Sequence, residues 1–397
     1  MNGLSSNLKS LGLLGAGFAV GLLAKELYPR ASDAIIPSPR ETQLPYLSPS
    51  EQARLPYPPD ALPGARDIPS PYGSLRVYEW GPKHGRRVLM VHGISTPSIA
   101  LAAIAHALVR CGCRVLLFDL PGRGYSSTPS PTVHAQTSEF FIATIFFVLA
   151  SSSLSWTGPN SFSILGYSLG GGIAVNFASC FPSLISSVIL LAPSGLIRPY
   201  HFGWQSKLLH SARLLPDWAV EQLVYWKLSS SSGQDQRQSG TVIEDELPLT
   251  EQCGDEPARG SKFDIPMALE WQVQRHKGFV KSNISSLRHA PISGQHHQWI
   301  RMTNALSNRD TKANQQAITS HARQGATMLI MCGENDPVII AKELETDSRE
   351  LLGGSKNLLF VITPGAGHDF PITHSKEVVD TITKFWGHQS HQIEARS

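Results

Sequence analysis

Between residues 73 and 195, apolar side chains come in short unbroken runs rather than in alternation. R-V-L-M-V at 87–91, R-V-L-L-F at 114–118, F-S-I-L at 162–165 and S-V-I-L-L at 187–191 are each too short for a helix and rich in branched residues. A weaker alternation covers residues 75–80. Continuous apolar runs of this length predict strands buried on both faces. The stretches 99–109 and 133–149 instead carry helical spacing, and a third helix begins just after residue 168. The same pattern returns at 326–331 and 358–362, followed by a helix over 375–386. Strands alternating with helices predict an α/β fold with a mostly parallel sheet covered by helices on both faces.

Two regions break the pattern. Residues 196–323 are rich in Trp, His and Gln, with helical pieces at 204–215, 218–228 and 267–277 and a polar loop at 229–262. They read as a mostly helical cap that divides the core into 73–195 and 324–397. Residues 29–71 hold eleven prolines. Each proline removes a donor and fixes its own φ, so neither a long helix nor a central strand can run through them. The segment 31–72 is therefore expected to be an extended linker, either laid along the body or partly disordered. Ahead of it, residues 1–30 contain an uncharged, mostly apolar stretch at 11–24. Fourteen residues are fewer than the roughly 20 that span a bilayer. A signal core, a short anchor or an organelle-targeting segment would place the protein at a membrane or in a targeted compartment, and a plain packed helix would suit a cytoplasmic location.

Composition narrows the partners. Of 397 residues 41% are hydrophobic and 16% charged, which suits a sizeable core. The net charge is only +3 and the basic residues are scattered, which argues against nucleic acid. The five cysteines, at 111, 113, 180, 253 and 332, form no disulfide framework and no metal or redox pair. No metal or cofactor site is expected.

The chemistry centres on S-F-S-I-L-G-Y-S-L-G-G-G-I at 161–173. A strand stops at Gly166, Ser168 sits on the turn, and a helix begins among Gly170, Gly171 and Gly172. Glycine two residues either side makes room for a strained serine whose hydroxyl stands clear of the sheet. Serine is a weak nucleophile and needs a base held by a third group. In a parallel sheet such groups gather at the carboxyl ends of strands. After the strand at 326–331 come Glu334 and Asp336, and after that at 358–362 come His368 and Asp369. Ser168, Asp336 and His368 thus follow successive strands in the order nucleophile, acid, base, with Glu334 as the alternative acid. Asp369 reads as a turn residue. His92-Gly93-Ile94 ends an earlier strand, where the N–H of Ile94 and that of Leu169 can face a developing oxyanion. His92 itself and Asp119 read as structural, and His296 and His297 as solvated or substrate-lining. Trp204, Trp218, Trp226, Trp271 and Trp299 suit either an apolar pocket or the interior of the cap.

Over about residues 73–387 the chain resembles the α/β-hydrolase superfamily, in its subgroup of esterases, lipases, proline iminopeptidases and carbon–carbon-bond hydrolases with a helical cap. The resemblance rests on H-G-I at 92–94, D-L-P-G-R-G-Y-S at 119–126, G-Y-S-L-G at 166–170, G-E-N-D at 333–336 and G-A-G-H-D-F at 365–370. It implies a serine-type triad needing no cofactor and acting on a small acyl compound, for which the aromatic residues of the cap suggest an apolar pocket. Related enzymes that cleave epoxides or haloalkanes use aspartate where this chain has Ser168. Acyl transfer and carbon–carbon cleavage would use the same three groups. A non-catalytic binding module on the same fold is the alternative from another class.

Overall fold

The computed structural model describes residues 35–158, 161–201, 220–222, 224–225, 263–316, 327–352 and 358–394. Its strands in chain order are β1 (Ile35–Ile36), β2 (Arg66–Ser70), β3 (Gly73–Trp80), β4 (Arg86–Val91), β5 (Cys113–Phe118), β6 (Thr128–Pro129), β7 (Phe162–Tyr167), β8 (Ile185–Leu191), β9 (Met328–Gly333) and β10 (Leu358–Thr363). The main helices are α1 (Ala102–Arg110), α2 (Ser138–Ala150), α3 (Leu169–Cys180), α4 (Ile265–Arg275), α5 (Phe279–His289), α6 (His296–Gln316), α7 (Ala341–Leu351) and α8 (Ser375–Glu394). Eight strands form one sheet in the order β10-β9-β8-β7-β4-β5-β3-β2. β3 pairs antiparallel with both β2 and β5, and the other five pairings are parallel. This is the mostly parallel sheet that the continuous apolar runs predict. All six residues of β7 and of β9 are buried.

The chain leaves β4 towards β5 on one side and leaves β7 towards β8 on the other. Their carboxyl ends therefore open onto a crevice at the centre of the sheet, the usual place for a ligand in an open α/β sheet. Both Ser168 and the loop after His92 emerge there.

Three elements depart from the sequence-based expectation. The helix predicted over 133–149 begins at Ser138, because Thr137 takes an extended conformation and its side chain accepts from Phe140 N. The proline-rich stretch lies along the body, as one of its two readings has it, and departs only in forming short helices and a strand of its own. Pro39 and Pro49 open four-residue helices at the position where a missing N–H costs nothing. Pro69 sits in β2, an edge strand where proline is tolerated. Tyr57 and Leu62 are buried in the main core, so residues 35–65 form a strap against the body, and 66–70 join the sheet as its edge.

The third departure lies within the predicted cap. α4 and α5 rise between β8 and β9 as expected. α6 instead packs on α3, the helix that follows Ser168, and brings Trp299, Met302 and Leu306 into the main core. Residues 296–316 thus serve the sheet layer rather than the cap. The predicted helix at 204–215, most of that at 218–228 and the polar loop at 229–262 lie outside the described residues. So does the apolar segment 11–24. Among the described residues no helix is long and apolar enough to cross a membrane.

Candidate active site

Ser168 ends β7 with φ 53° and ψ −117°, a left-handed conformation that side chains other than glycine rarely adopt. Hydrogen bonds over-determine it: its N–H donates to Leu191 O at 3.0 Å, and its carbonyl accepts from Gly171 N and Ser194 N, each at 2.9 Å. The flanking glycines are required by contact. A Cβ on Gly166 would strike the Gly170 carbonyl, and one on Gly170 would strike the carbonyl of Val91 at the end of β4. The turn is thereby packed against the neighbouring strand, and the serine side chain stays partly exposed.

The three residues singled out in the sequence come together. His368 lies on the loop after β10, with Nε2 at 3.0 Å from Ser168 Oγ and Nδ1 at 2.7 Å from Asp336 Oδ2. The side chain of Asp336 is fully buried. Its other oxygen, Oδ1, accepts from Val338 N at 2.7 Å and Ile339 N at 2.8 Å, which fixes the carboxylate plane. Tyr167 supports the base from beneath. Its ring lies 5.4 Å from the imidazole and its hydroxyl donates to the His368 carbonyl at 3.2 Å. Burial raises the Tyr167 pKa, so the phenol stays a donor.

Glu334, the alternative acid, is taken up elsewhere. Its Oε2 accepts from Gly365 N at 2.8 Å, bracing the two loops against each other. Asp369 opens the short helix Phe370–Thr373, consistent with a turn role. Asp119 is buried and makes no hydrogen bond to His368. Its carboxylate accepts from Ser98 N, Tyr125 N and Tyr57 Oη, and burial raises its pKa. His296 and His297 are exposed at the start of α6. Among the described residues no cluster of three or more His, Cys, Asp or Glu could hold a metal ion.

The loop after β4 completes the site. His92 is buried, its Nδ1–H donates to Gly93 O at 2.8 Å, and its Nε2 accepts from Leu120 N at 2.8 Å. Both bonds demand a neutral ring, and burial pulls its pKa down to about 3. Because a peptide is planar and trans, holding the Gly93 carbonyl also aims the Ile94 N–H in the opposite direction. The Leu169 N–H stands at the first position of α3, where helical geometry leaves it without an intrahelical acceptor. Among the described residues neither amide has a hydrogen-bond partner.

Two residues that bear on this loop carry little signal in the sequence. Arg123 lies inside the D-L-P-G-R-G-Y-S stretch, yet nothing in the stretch names its partners. Gln272 is one of many glutamines, and its contacts are made across some 150 residues of chain. Trp271, partly buried, packs at a tilt on Tyr125 at 5.5 Å, and Trp299 is fully buried, so both serve packing. Trp204, Trp218 and Trp226 lie outside the described residues.

Comparison with known proteins gives similarity at three levels. A model of the α/β hydrolase fold family matches residues 86–234. A serine hydrolase-like protein of Danio rerio is 35% identical over 131 residues, which is 33% of this chain and 38% of that protein. A serine hydrolase-like protein of Dictyostelium discoideum is 25% identical over 275 residues, covering 57% of this chain and 75% of the relative. The chain thus spans well under half the length of the first of these relatives and three quarters of the second. Among solved structures, a carboxylesterase of the ammonia-oxidizing thaumarchaeon Nitrososphaera gargenis superposes with a TM-score of 0.52 at 15% identity, covering 83% of this chain and 100% of that one. At that identity the likeness is one of fold.

Proposed function

Because the chain belongs to the α/β-hydrolase superfamily, we propose that it is a serine hydrolase that cleaves a small ester or related acyl compound through an acyl-enzyme. The observation that carries this reading is the imidazole of His368, which bridges Ser168 Oγ at 3.0 Å and Asp336 Oδ2 at 2.7 Å. In this reading Ser168 Oγ attacks the acyl carbon as its proton passes to His368 Nε2. The ring, now cationic, is stabilised by Asp336 and returns the proton to the leaving alcohol. Water then attacks the acyl-enzyme, losing a proton to His368, and the intermediate collapses as His368 gives that proton to the departing Ser168 Oγ and the carboxylic acid leaves. The N–H groups of Ile94 and Leu169 are the assigned donors to the oxyanion. Such donors act on charge that develops only in the transition state, so they speed chemistry rather than binding.

A binding module on this fold would have no need of a strained serine held in line with a base and a buried carboxylate. The test is labelling with a fluorophosphonate probe. Wild-type protein should be labelled at Ser168, and Ser168→Ala should not. A folded wild type that takes no label overturns the reading. Product analysis with short-chain p-nitrophenyl esters, with and without an added alcohol, then separates hydrolysis from acyl transfer.

A further inference from the structure

Three successive carbonyls in the loop after β4 each accept a hydrogen bond from a buried side chain. Gly93 O is held by His92 Nδ1 at 2.8 Å, Ile94 O by Arg123 Nε at 3.0 Å, and Ser95 O by Gln272 Nε2 at 3.2 Å. The first donor belongs to the core, but the other two are tied to the cap. Gln272 sits on α4 and is fully buried, and its Oε1 accepts from Gly124 N at 2.7 Å. Arg123 is also fully buried and has no carboxylate among its hydrogen-bond partners. Its remaining N–H groups go to Pro121 O, to Gln136 Oε1 and, on α5, to Ser282 O at 3.3 Å and Ser286 Oγ at 2.8 Å. Asn283 of α5 reaches Ser95 Oγ at 3.4 Å.

A buried guanidinium without a counter-charge is costly unless its donors are satisfied. Here they are satisfied only while α5 is docked. Moving the two cap helices away would break the bonds to Ser282 and Ser286 and remove the donor from Ser95 O.

We infer that Gln272 and Arg123 are positioning residues that couple the docked cap to the oxyanion loop, so that the loop is held in its catalytic position only when α4 and α5 are seated. This rests on the proposed function, since Ile94 N–H is taken as an oxyanion donor. His92 sets the plane of the peptide that carries that N–H. Arg123 and Gln272 set where the segment stands relative to Ser168. Neither touches substrate in this scheme, and both act through the loop backbone.

The test uses full-length protein, with p-nitrophenyl butyrate and its thiono analogue as substrates. A sulfur in place of the carbonyl oxygen is a poor acceptor, so the preference for oxygen over sulfur reports the fit of the oxyanion donors. Gln272→Met keeps the length of the side chain and removes both its polar ends. It should lower kcat by about tenfold to a hundredfold, less than the roughly 10²–10³ lost with a whole oxyanion donor. KM should stay nearly constant, and the oxygen-to-sulfur preference should fall along with kcat. Arg123→Met should do the same, and Arg123→Lys should recover part of the loss. If Arg123→Met does not fold, Gln272→Met with a native melting profile decides the matter. Unchanged kcat and unchanged preference in folded Gln272→Met overturn the coupling while leaving the serine hydrolase intact. Wild type that is neither labelled at Ser168 nor active overturns the catalytic reading and the coupling with it.

Discussion

At the scale of single residues, the site turns on which atom of each side chain faces which. Asp336 uses one oxygen for two backbone amides and the other for the imidazole. Asp336→Asn would keep the first function and damage the second. Its carbonyl can still accept from Val338 and Ile339, but its amide then faces His368 Nδ1 as a donor against a donor. The ring would be driven into the tautomer that cannot take the serine proton. We expect kcat to fall by roughly 10²–10⁴ with KM and melting temperature little changed, checked by ester turnover alongside thermal unfolding. A parallel loss of fold would mean that Asp336 acts mainly as a structural brace. The three residues were legible because each follows a strand at a spacing that the local sequence announces. The sequence set Asp336 ahead of Glu334, and the structure gives each its partner: Asp336 meets His368 and Glu334 holds Gly365.

At the scale of elements, the strap of residues 35–65 shows how a proline-rich stretch lies along the body. Eleven prolines between residues 29 and 71 exclude long regular structure, but they do not prevent burial. Tyr57 reaches into the core and its hydroxyl meets Asp119 at 3.0 Å and the Tyr78 hydroxyl at 2.6 Å. Asp119 in turn anchors the loops at Ser98 and Tyr125. The strap therefore helps to satisfy a buried carboxylate. Tyr57→Phe removes one donor and leaves the rest of the ring in place. It should cost about 1–3 kcal/mol, read as a lower urea midpoint, while ester turnover changes little. An unchanged midpoint would show that Asp119 is satisfied without the strap. α6 is the converse case. It lies in the region 196–323 where the regular alternation of strands and helices breaks. Its apolar residues at 299, 302 and 306 share one helical face, but only packing reveals that this face meets α3.

For the whole molecule, the buried histidines make stability depend on pH. His276, just after α4, donates from Nε2 to Ser126 O at 2.9 Å and accepts at Nδ1 from Gly278 N at 3.0 Å. Like His92 it must be neutral to make both bonds. Burial holds the His276 pKa down to about 4 and that of His92 down to about 3, against 6.5 for an ordinary histidine. The native state thus binds fewer protons than the unfolded chain below pH 6.5. This stability is fully present above pH 6.5. It drains as pH falls towards about 4 for the first group and about 3 for the second. Each group contributes at most about 1.4 kcal/mol per pH unit over its window. Urea unfolding at pH 7.5 and pH 5 should show lower stability at the acid value. His276→Gln, whose amide can still reach Ser126 O, should show a smaller difference. Equal wild-type stability at the two values would contradict a neutral buried pair. Because His276 ties the cap to the loop at Ser126, acid should loosen the cap along with the fold.

The sequence alone determined the mostly parallel sheet, the strained serine turn and the order in which Ser168, Asp336 and His368 follow their strands. All three follow from local rules: apolar runs that can only be buried strands, glycines that a turn demands, and residues placed directly after strand ends. The tertiary structure decided what depends on long-range packing. It showed that the proline-rich stretch is a strap and that α6 belongs to the sheet layer. It showed that Asp336 rather than Glu334 meets His368. It also brought Arg123 and Gln272 onto consecutive carbonyls of the loop after β4. Those bonds join groups far apart in the chain, and side-chain hydrogen bonds of that kind leave no period or spacing by which a sequence could announce them.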